Sequence, residues 1–434
     1  MRQTSIQPAT SRVLSALGSK LSSEQLSVLR NTGWMLSAEG CARATRLVAI
    51  IAMAATLPLD QYGIAMLALT LHEMIRLVSR IGSSARIVQC DRSELEEVMS
   101  ACLVLNWIVA FALTLLQIGL SSAIAGYYGS AHLAAMLSLM ALSYLLYPIV
   151  AIKVAYIQRR DGFKQIGIIT AVAVSTDNIS TAVLLLSGAG LMSIAIAKVL
   201  AAFVWVIGFG VLVQHPESMP TASRRSNSTA IFNLLRFTLP LFTTEIARNL
   251  RNQIDVLLGG KLLSPEIFGL YTFAKSAGIG FGLALINAFT SAIYPRLASA
   301  ARKQQLTRSA KTLLFPLAGV TALVLVQAAL APVYVPVLFS NEFAAAGTLV
   351  RVLCLMAITF LVIDLLGMML RVRFMMIGET ALNLGAVACI AFASLSLAGA
   401  SAGAMANGVT FASFIAALLA TALYLLRIKS NINV

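Results

Sequence analysis

Two arginine pairs sit where arginine is costly. Arg43 and Arg46 lie inside the first strongly apolar stretch of the chain, and Arg248 and Arg251 inside another, at an offset of 205 residues. At a spacing of three, each pair shares one face of a helix. Ionisable groups within hydrocarbon normally face a cavity or a partner. The planar guanidinium fork grips two oxygens of a phosphate or carboxylate at once. With Arg76 and Lys275, which also fall inside apolar stretches, these residues form a candidate anion-binding cavity: Arg43, Arg46, Arg76, Arg248, Arg251 and Lys275. A plainer reading is internal pairing, since Glu39 precedes Arg43 by four residues, Glu73 precedes Arg76 by three and Glu245 precedes Arg248 by three. The carboxylates Glu73, Asp177 and Asp364 are the candidates for ion coupling, while Arg351 and Lys198 read as snorkelling groups or local pairs.

Enzyme chemistry finds little support. The sequence has no HExxH, G-x-S-x-G or G-x-x-x-x-G-K-[ST] pattern. His72, His132 and His215 are scattered and suggest no metal site. Gly278, Gly280 and Gly282 lie inside an apolar stretch with no strand before them, so they read as small residues for close helix packing. Cys41, Cys90, Cys102, Cys354 and Cys389 lack paired spacing and read as free thiols. No cofactor is expected.

The elements that position these groups follow from composition. Of 434 residues, 59% are hydrophobic and 11% charged, with a mean hydropathy of +0.87. Soluble domains run near 25% charged, so a water-soluble fold is excluded, as are disorder and a disulfide-stapled secreted domain. An all-α integral membrane protein follows. A span needs about 20 apolar residues, and about twelve such stretches fit. They read at 33–57, 62–81, 98–124, 131–152, 166–186, 190–213, 234–259, 267–291, 311–331, 344–370, 380–398 and 401–426. Pro148, Pro240 and Pro316 fall inside them and should bend them.

Charge sets the orientation. With both termini cytoplasmic, inner segments collect Arg86, Lys153, Arg159, Arg160, Arg224, Arg225, Arg302, Lys303, Arg371 and Arg427, among others. Outer loops then hold Lys261 as their one basic residue, and all are short, the longest lying near 332–343. The net charge of +15 therefore reports topology, not a nucleic-acid partner. The basic loops lack interleaved aromatics, so anionic membrane lipids are the better match. Residues 1–30 read as a polar, basic cytoplasmic tail, in which Leu14, Leu17, Leu21 and Leu26 fit either an interfacial helix or a solvated segment.

The chain also repeats itself. LPLDQYGIA at 57–65 matches LSPEIFGLY at 263–271, pairing Gly63 with Gly269 and Tyr62 with Phe268. LSLMALSYL at 137–145 matches LCLMAITFL at 353–361, with five identities in nine. One duplication of a six-span unit accounts for both. It divides the chain into the tail at 1–30, an N-lobe at 31–213, a polar cytoplasmic linker at 214–233, a C-lobe at 234–426 and a tail at 427–434. Two parallel lobes around a central cavity is an architecture of alternating-access transporters.

The motifs LPLDQYGIAMLAL after the first span, AYIQRRDGFKQIG between the fourth and fifth, and LLSPEIFGLYTFAKS…AIYPRLAS across the eighth carry a family likeness. The chain resembles the Wzx-type polysaccharide and O-antigen repeat-unit flippases of the multidrug/oligosaccharidyl-lipid/polysaccharide (MOP) exporter superfamily. The resemblance runs over nearly the whole chain from about residue 30. It implies a bacterial inner-membrane protein that moves an undecaprenyl-diphosphate-linked oligosaccharide to the periplasmic leaflet, working beside a polysaccharide polymerase and export machinery. It also implies a V-shaped cavity with basic residues for the diphosphate, the family's membrane arginines of the first, second and eighth spans corresponding here to Arg43, Arg46, Arg76 and Lys275. The rival within the superfamily is a multidrug antiporter for organic cations, which would favour acidic residues such as Asp177, Asp364 and Glu39 at its cavity.

Overall fold

The computed structural model describes residues 23–82, 85–213, 228–302, 314–339, 341–373 and 375–432. The segment with Leu14, Leu17 and Leu21, and most of the predicted linker, lie outside these residues, as does the side chain of Glu39.

The N-terminal half contains α1 (Ser23–Thr56), α2 (Leu59–Arg76), α3 (Leu95–Tyr128), α4 (Ala131–Ala141), α5 (Tyr147–Arg159), α6 (Phe163–Leu186) and α7 (Met192–Ile207). The C-terminal half contains α8 (Ser228–Leu262), α9 (Pro265–Arg302), α10 (Leu314–Leu338), α11 (Gly347–Val372), α12 (Met376–Ser396) and α13 (Ala402–Ile432). Eight of the described helices are long and apolar enough to cross a membrane, or nine if the bent pair of α4 and α5 is one span. This is an all-α, multi-pass membrane protein. The stretches predicted at 33–57, 62–81 and 234–259 fall on α1, α2 and α8, the helices that hold most of the interior charge.

Local chemistry sets several boundaries. In α3, Glu96 and Glu97 occupy the first turn, where the helix dipole favours anions, and Gly129 closes the helix at φ 73°. Pro148 behaves as expected: a 3₁₀ turn at Leu142–Leu145 precedes it, and α4 and α5 meet at 48°. Pro240 and Pro316 differ from expectation. Helix α8 continues through position 240, and Pro316 lies in the first turn of α10, where a missing N–H costs no helical bond. The outer loop expected near 332–343 is largely helix: α10 runs on to Leu338 with Pro332 and Pro336 inside it. Its apolar residues Ala331 and Val335 are fully buried there, so packing outweighs the lost backbone bonds.

Packing groups the helices by halves. α1 lies along α6 and α6 along α7, while α9, α10 and α13 surround α11, and α8 pairs with α12. Apolar side chains gain little by association within lipid, so close approach of small residues does much of the joining. Gly278 and Gly282, one turn apart, let α9 press against Val350, Cys354 and Ala357 of α11. The packing role expected of this glycine run holds for those two positions.

The halves meet through the repeat itself. α2 crosses α9 at the paired glycines Gly63 and Gly269. A Cβ on Gly269 would penetrate the Leu59 carbonyl, ending 2.5 Å from its carbon and 3.1 Å from its Cα. A Cβ on Gly63 would meet the Phe268 ring at 2.8 Å and the Gly269 nitrogen at 3.1 Å. Tyr62 seals the same end, its hydroxyl 3.0 Å from Ser276 Oγ and its ring edge-on to Phe273 and Phe343. Nearby, Lys261 Nζ donates to the Tyr127 carbonyl at 2.9 Å, and the Tyr128 hydroxyl donates to the Leu257 carbonyl at 3.0 Å. All these contacts lie at the end of the bundle that holds the connections 57–58, 129–130 and 263–264.

The second repeat match is structural too. Leu137, Met140 and Ala141, and their counterparts Leu353, Met356 and Ala357, are all buried to 1% exposure or less. Tyr144 and Phe360 follow each by the same spacing, and each offers its ring to a polar group: Tyr144 stacks on His72, and Phe360 underlies the Arg251 guanidinium at 4.5 Å.

Candidate functional site

The interior charges form two separate constellations. In the N-terminal half, α2 carries Glu73 and Arg76, α6 carries Asp177 and α7 carries Lys198. Arg76 Nε and Nη2 both donate to Glu73 Oε2, at 2.9 and 2.5 Å. Lys198 Nζ lies 2.7 Å from Asp177 Oδ2 and 3.5 Å from Glu73 Oε1. The result is a chain of alternating sign: Asp177, Lys198, Glu73, Arg76. The expected Glu73–Arg76 pairing is present. Lys198, read as a snorkelling or locally paired group, bridges two helices instead. It sits near the middle of α7 and not at an end, and that position is the signal that could have found it.

Behind this chain is a fully buried polar knot. The Tyr144 hydroxyl lies 2.5 Å from Gln117 Oε1 and 3.0 Å from His72 Nδ1, and Gln117 Nε2 donates to the Leu137 carbonyl at 2.6 Å. It ties α2, α3 and the α4–α5 bend together and fixes the helix that presents Glu73 and Arg76. No spacing in the sequence announces it, because its members come from three distant segments.

These elements surround a cavity of about 670 Å³. Glu73, Arg76, Asp177 and Lys198 line it, with Tyr144, Tyr147, Asn106 and Trp205. Of the residues expected at an anion cavity only Arg76 lines this space, together with Glu73 and Asp177 from the ion-coupling set.

Arg43 and Arg46 stand apart from it on α1. Arg43 Nη1 donates 3.1 Å to the Gly280 carbonyl, crossing from one half to the other. Gly280, the middle glycine of the run, thus offers its carbonyl to α1. Arg46 is exposed and within the electrostatic reach of Glu73, Asp177, Tyr62 and Arg43.

The C-terminal constellation is closed on itself. Arg251, fully buried, donates through Nη1 to Asp364 Oδ1 at 3.0 Å and to Asn383 Oδ1 at 2.9 Å. Arg248 reaches Glu379 Oε1 at 3.0 Å and lies 3.6 Å from Asp364 Oδ1. Glu379 also receives Arg371, through Nε at 2.8 Å and Nη2 at 2.5 Å. On the adjoining face Lys275 Nζ is 2.5 Å from Asp255 Oδ1 and donates to the Asn252 carbonyl at 2.6 Å, while Tyr271 donates to Asp255 Oδ2 at 2.5 Å. Neither Arg371 nor Glu379 was singled out by sequence, because both flank a connection and read as loop charges.

Around the N-terminal cavity Arg76 and Lys198 are matched by two carboxylates, Glu73 and Asp177. In the C-terminal half Arg248, Arg251 and Arg371 are bound to Asp364 and Glu379, and Lys275 to Asp255. Among the described residues no cluster of three metal-ligating side chains occurs.

The fold is that of the MOP-superfamily transporters. It matches an inward-facing multidrug resistance MATE family transporter of that superfamily with TM-score 0.70 and 12% identity, covering 89% of this chain and 94% of that one. A MOP superfamily transporter from Pyrococcus furiosus, described as having a binding pocket of reverse polarity that suggests a different function, matches with TM-score 0.65 and 12% identity over 93% and 96%. An outward-facing MATE family transporter matches with TM-score 0.62 and 14% identity over 93% and 96%. The family whose sequence pattern covers residues 52–348 is described as "Polysaccharide biosynthesis protein", and this chain belongs to that family. No curated protein matches the sequence.

Proposed function

We propose that this protein moves a polyprenyl-diphosphate-linked oligosaccharide from the cytoplasmic to the outer leaflet of the bacterial inner membrane, for surface polysaccharide synthesis. In this reading twelve spans form two parallel six-span lobes, both termini are cytoplasmic, and the lobes rock to expose a central space to either side in turn. The observation that carries the reading is a guanidinium pair, Arg43 and Arg46, on one face of α1 beside the junction of the halves, in a member of a polysaccharide biosynthesis family. Guanidinium pairs suit a diphosphate. Arg76, Arg248, Arg251 and Lys275, also expected there, are bound to carboxylates and serve mainly to hold their helices. Positive-inside orientation puts the Gly63–Gly269 crossing at the outer face, so the described state is closed to the outside. An inside-negative potential favours outward movement of an anionic headgroup by about 2.3 kcal/mol per charge per 100 mV.

Arg43→Ala with Arg46→Ala should abolish surface polymer while the protein stays in the membrane. Normal polymer from that variant contradicts the assignment of the diphosphate to these residues.

A second reading is export of an organic cation by antiport. The aromatic faces of Trp205 and Tyr147 in the cavity, and the likeness in fold to MATE family transporters, favour it. Glu73, Asp177 and Asp364 are the groups such coupling would use. Efflux of a cationic dye from vesicles containing the protein, lost in Asp177→Asn, would support it over the flippase.

A further inference from the structure

The cavity of the N-terminal half has a chemistry distinct from that of the arginine pair. Its four charged lining groups, Asp177, Lys198, Glu73 and Arg76, cancel in sign and are already engaged with one another. A fixed anion or cation gains little there. What faces the space with hydrogen-bonding capacity unspent is neutral: the Asn106 amide, the Tyr147 hydroxyl and the Trp205 indole N–H line the cavity, are each half-buried, and have no side-chain hydrogen-bond partner among the described residues. Trp205 is held by an edge-on contact with Phe209, ring centroids 4.6 Å apart, which leaves it as a rigid platform. Aromatic faces carry negative charge density and attract the apolar, slightly positive C–H face of a sugar ring, while an amide and a hydroxyl match sugar hydroxyls. About 670 Å³ lies within the range of roughly 300–1,000 Å³ typical of small-ligand pockets and has room for a few sugar residues.

We infer that this cavity is the glycan subsite of the transporter: Trp205 and Tyr147 stack sugar rings, and Asn106 reads their hydroxyls, while the diphosphate remains with Arg43 and Arg46. The inference rests on the flippase reading and adds to it a separate place for the neutral head of the substrate. The subsite sits among α2, α3, α5, α6 and α7, at the level of Arg76 and the α4–α5 bend, toward the end of the bundle away from the Gly63–Gly269 crossing. In the proposed orientation that is the cytoplasmic side, where the sugar is loaded.

The test uses the full-length protein in nanodiscs and two probes: undecaprenyl diphosphate, and the lipid-linked repeat unit purified from the host's own membranes. Trp205→Ala should weaken binding of the glycosylated probe by about tenfold, and Asn106→Ala by about fivefold, with undecaprenyl diphosphate binding unchanged. Trp205→Phe should retain most of the affinity. Asn106→Ala removes no packing surface of note, so it carries the test if Trp205→Ala folds poorly. Equal loss for both probes, or no loss for either, overturns the subsite and leaves the flippase reading standing. A wild-type protein that binds neither probe overturns the flippase reading, and the subsite with it.

Discussion

Gly269 gives the sharpest mechanical prediction. Its Cβ position falls within the Leu59 carbonyl group, 2.5 Å from the carbon, and the obstacle is backbone in the helix start of the opposite half. No rotamer relieves it. Restoring an ordinary carbon–carbon contact requires α2 and α9 to part by about 1 Å or more. Overpacking of this kind costs about 1–3 kcal/mol. That cost falls only on the state in which the two helices touch, so Gly269→Ala should lower the population closed at this end by about 5- to 150-fold. Gly63→Ala should do less, since its first obstacle is the movable Phe268 ring, and Gly280→Ala should do nothing, because open space surrounds its Cβ position. Spin labels at positions 130 and 264, in a background with the five cysteines replaced, report the separation of the halves at this end. The predicted order of the shift to long distances is Gly269→Ala, then Gly63→Ala, then Gly280→Ala superimposed on wild type. A Gly269→Ala distribution identical to wild type would refute the claim that the repeat glycines close this end.

Other expectations concern the buried polar groups. Lys275→Met leaves Asp255 with Tyr271 but no counter-charge and should cost about 3–5 kcal/mol of stability, read as a lower thermal transition in detergent; adding Asp255→Asn should restore most of it. Tyr144→Phe removes the hydroxyl shared by His72 and Gln117 and should cost about 1–3 kcal/mol in the same assay, with binding of undecaprenyl diphosphate unaffected. Glu379→Gln should loosen Arg248 and Arg371 together, so its cost should not add to that of Arg371→Ala; additive losses would mean the two arginines act independently.

Much of the architecture could be read from composition, because hydropathy and basic loops report spans directly. The glycines paired by the sequence match, Gly63 and Gly269, touch each other in space. The functional charges were harder. Six cations at membrane depth looked alike in one dimension, yet Arg251 is locked between Asp364 and Asn383 while Arg46 is exposed. Partner identity depends on which helices adjoin, and Asp364 and Asn383 lie more than a hundred residues from Arg251. Lys198 was undervalued for the same reason, since both its partners sit on other helices. Asn106, Tyr147 and Trp205 were invisible as a group, because single polar or aromatic residues on α3, α5 and the end of α7 acquire meaning only when the bundle places them around one space.

The central claim is tested most directly by depleting the protein in cells that make the surface polymer and locating the lipid-linked repeat unit. The account predicts that the glycolipid accumulates in the cytoplasmic leaflet, shielded from a periplasmic glycan-modifying probe, while surface polymer falls. Unchanged glycolipid together with new sensitivity to cationic dyes would contradict it.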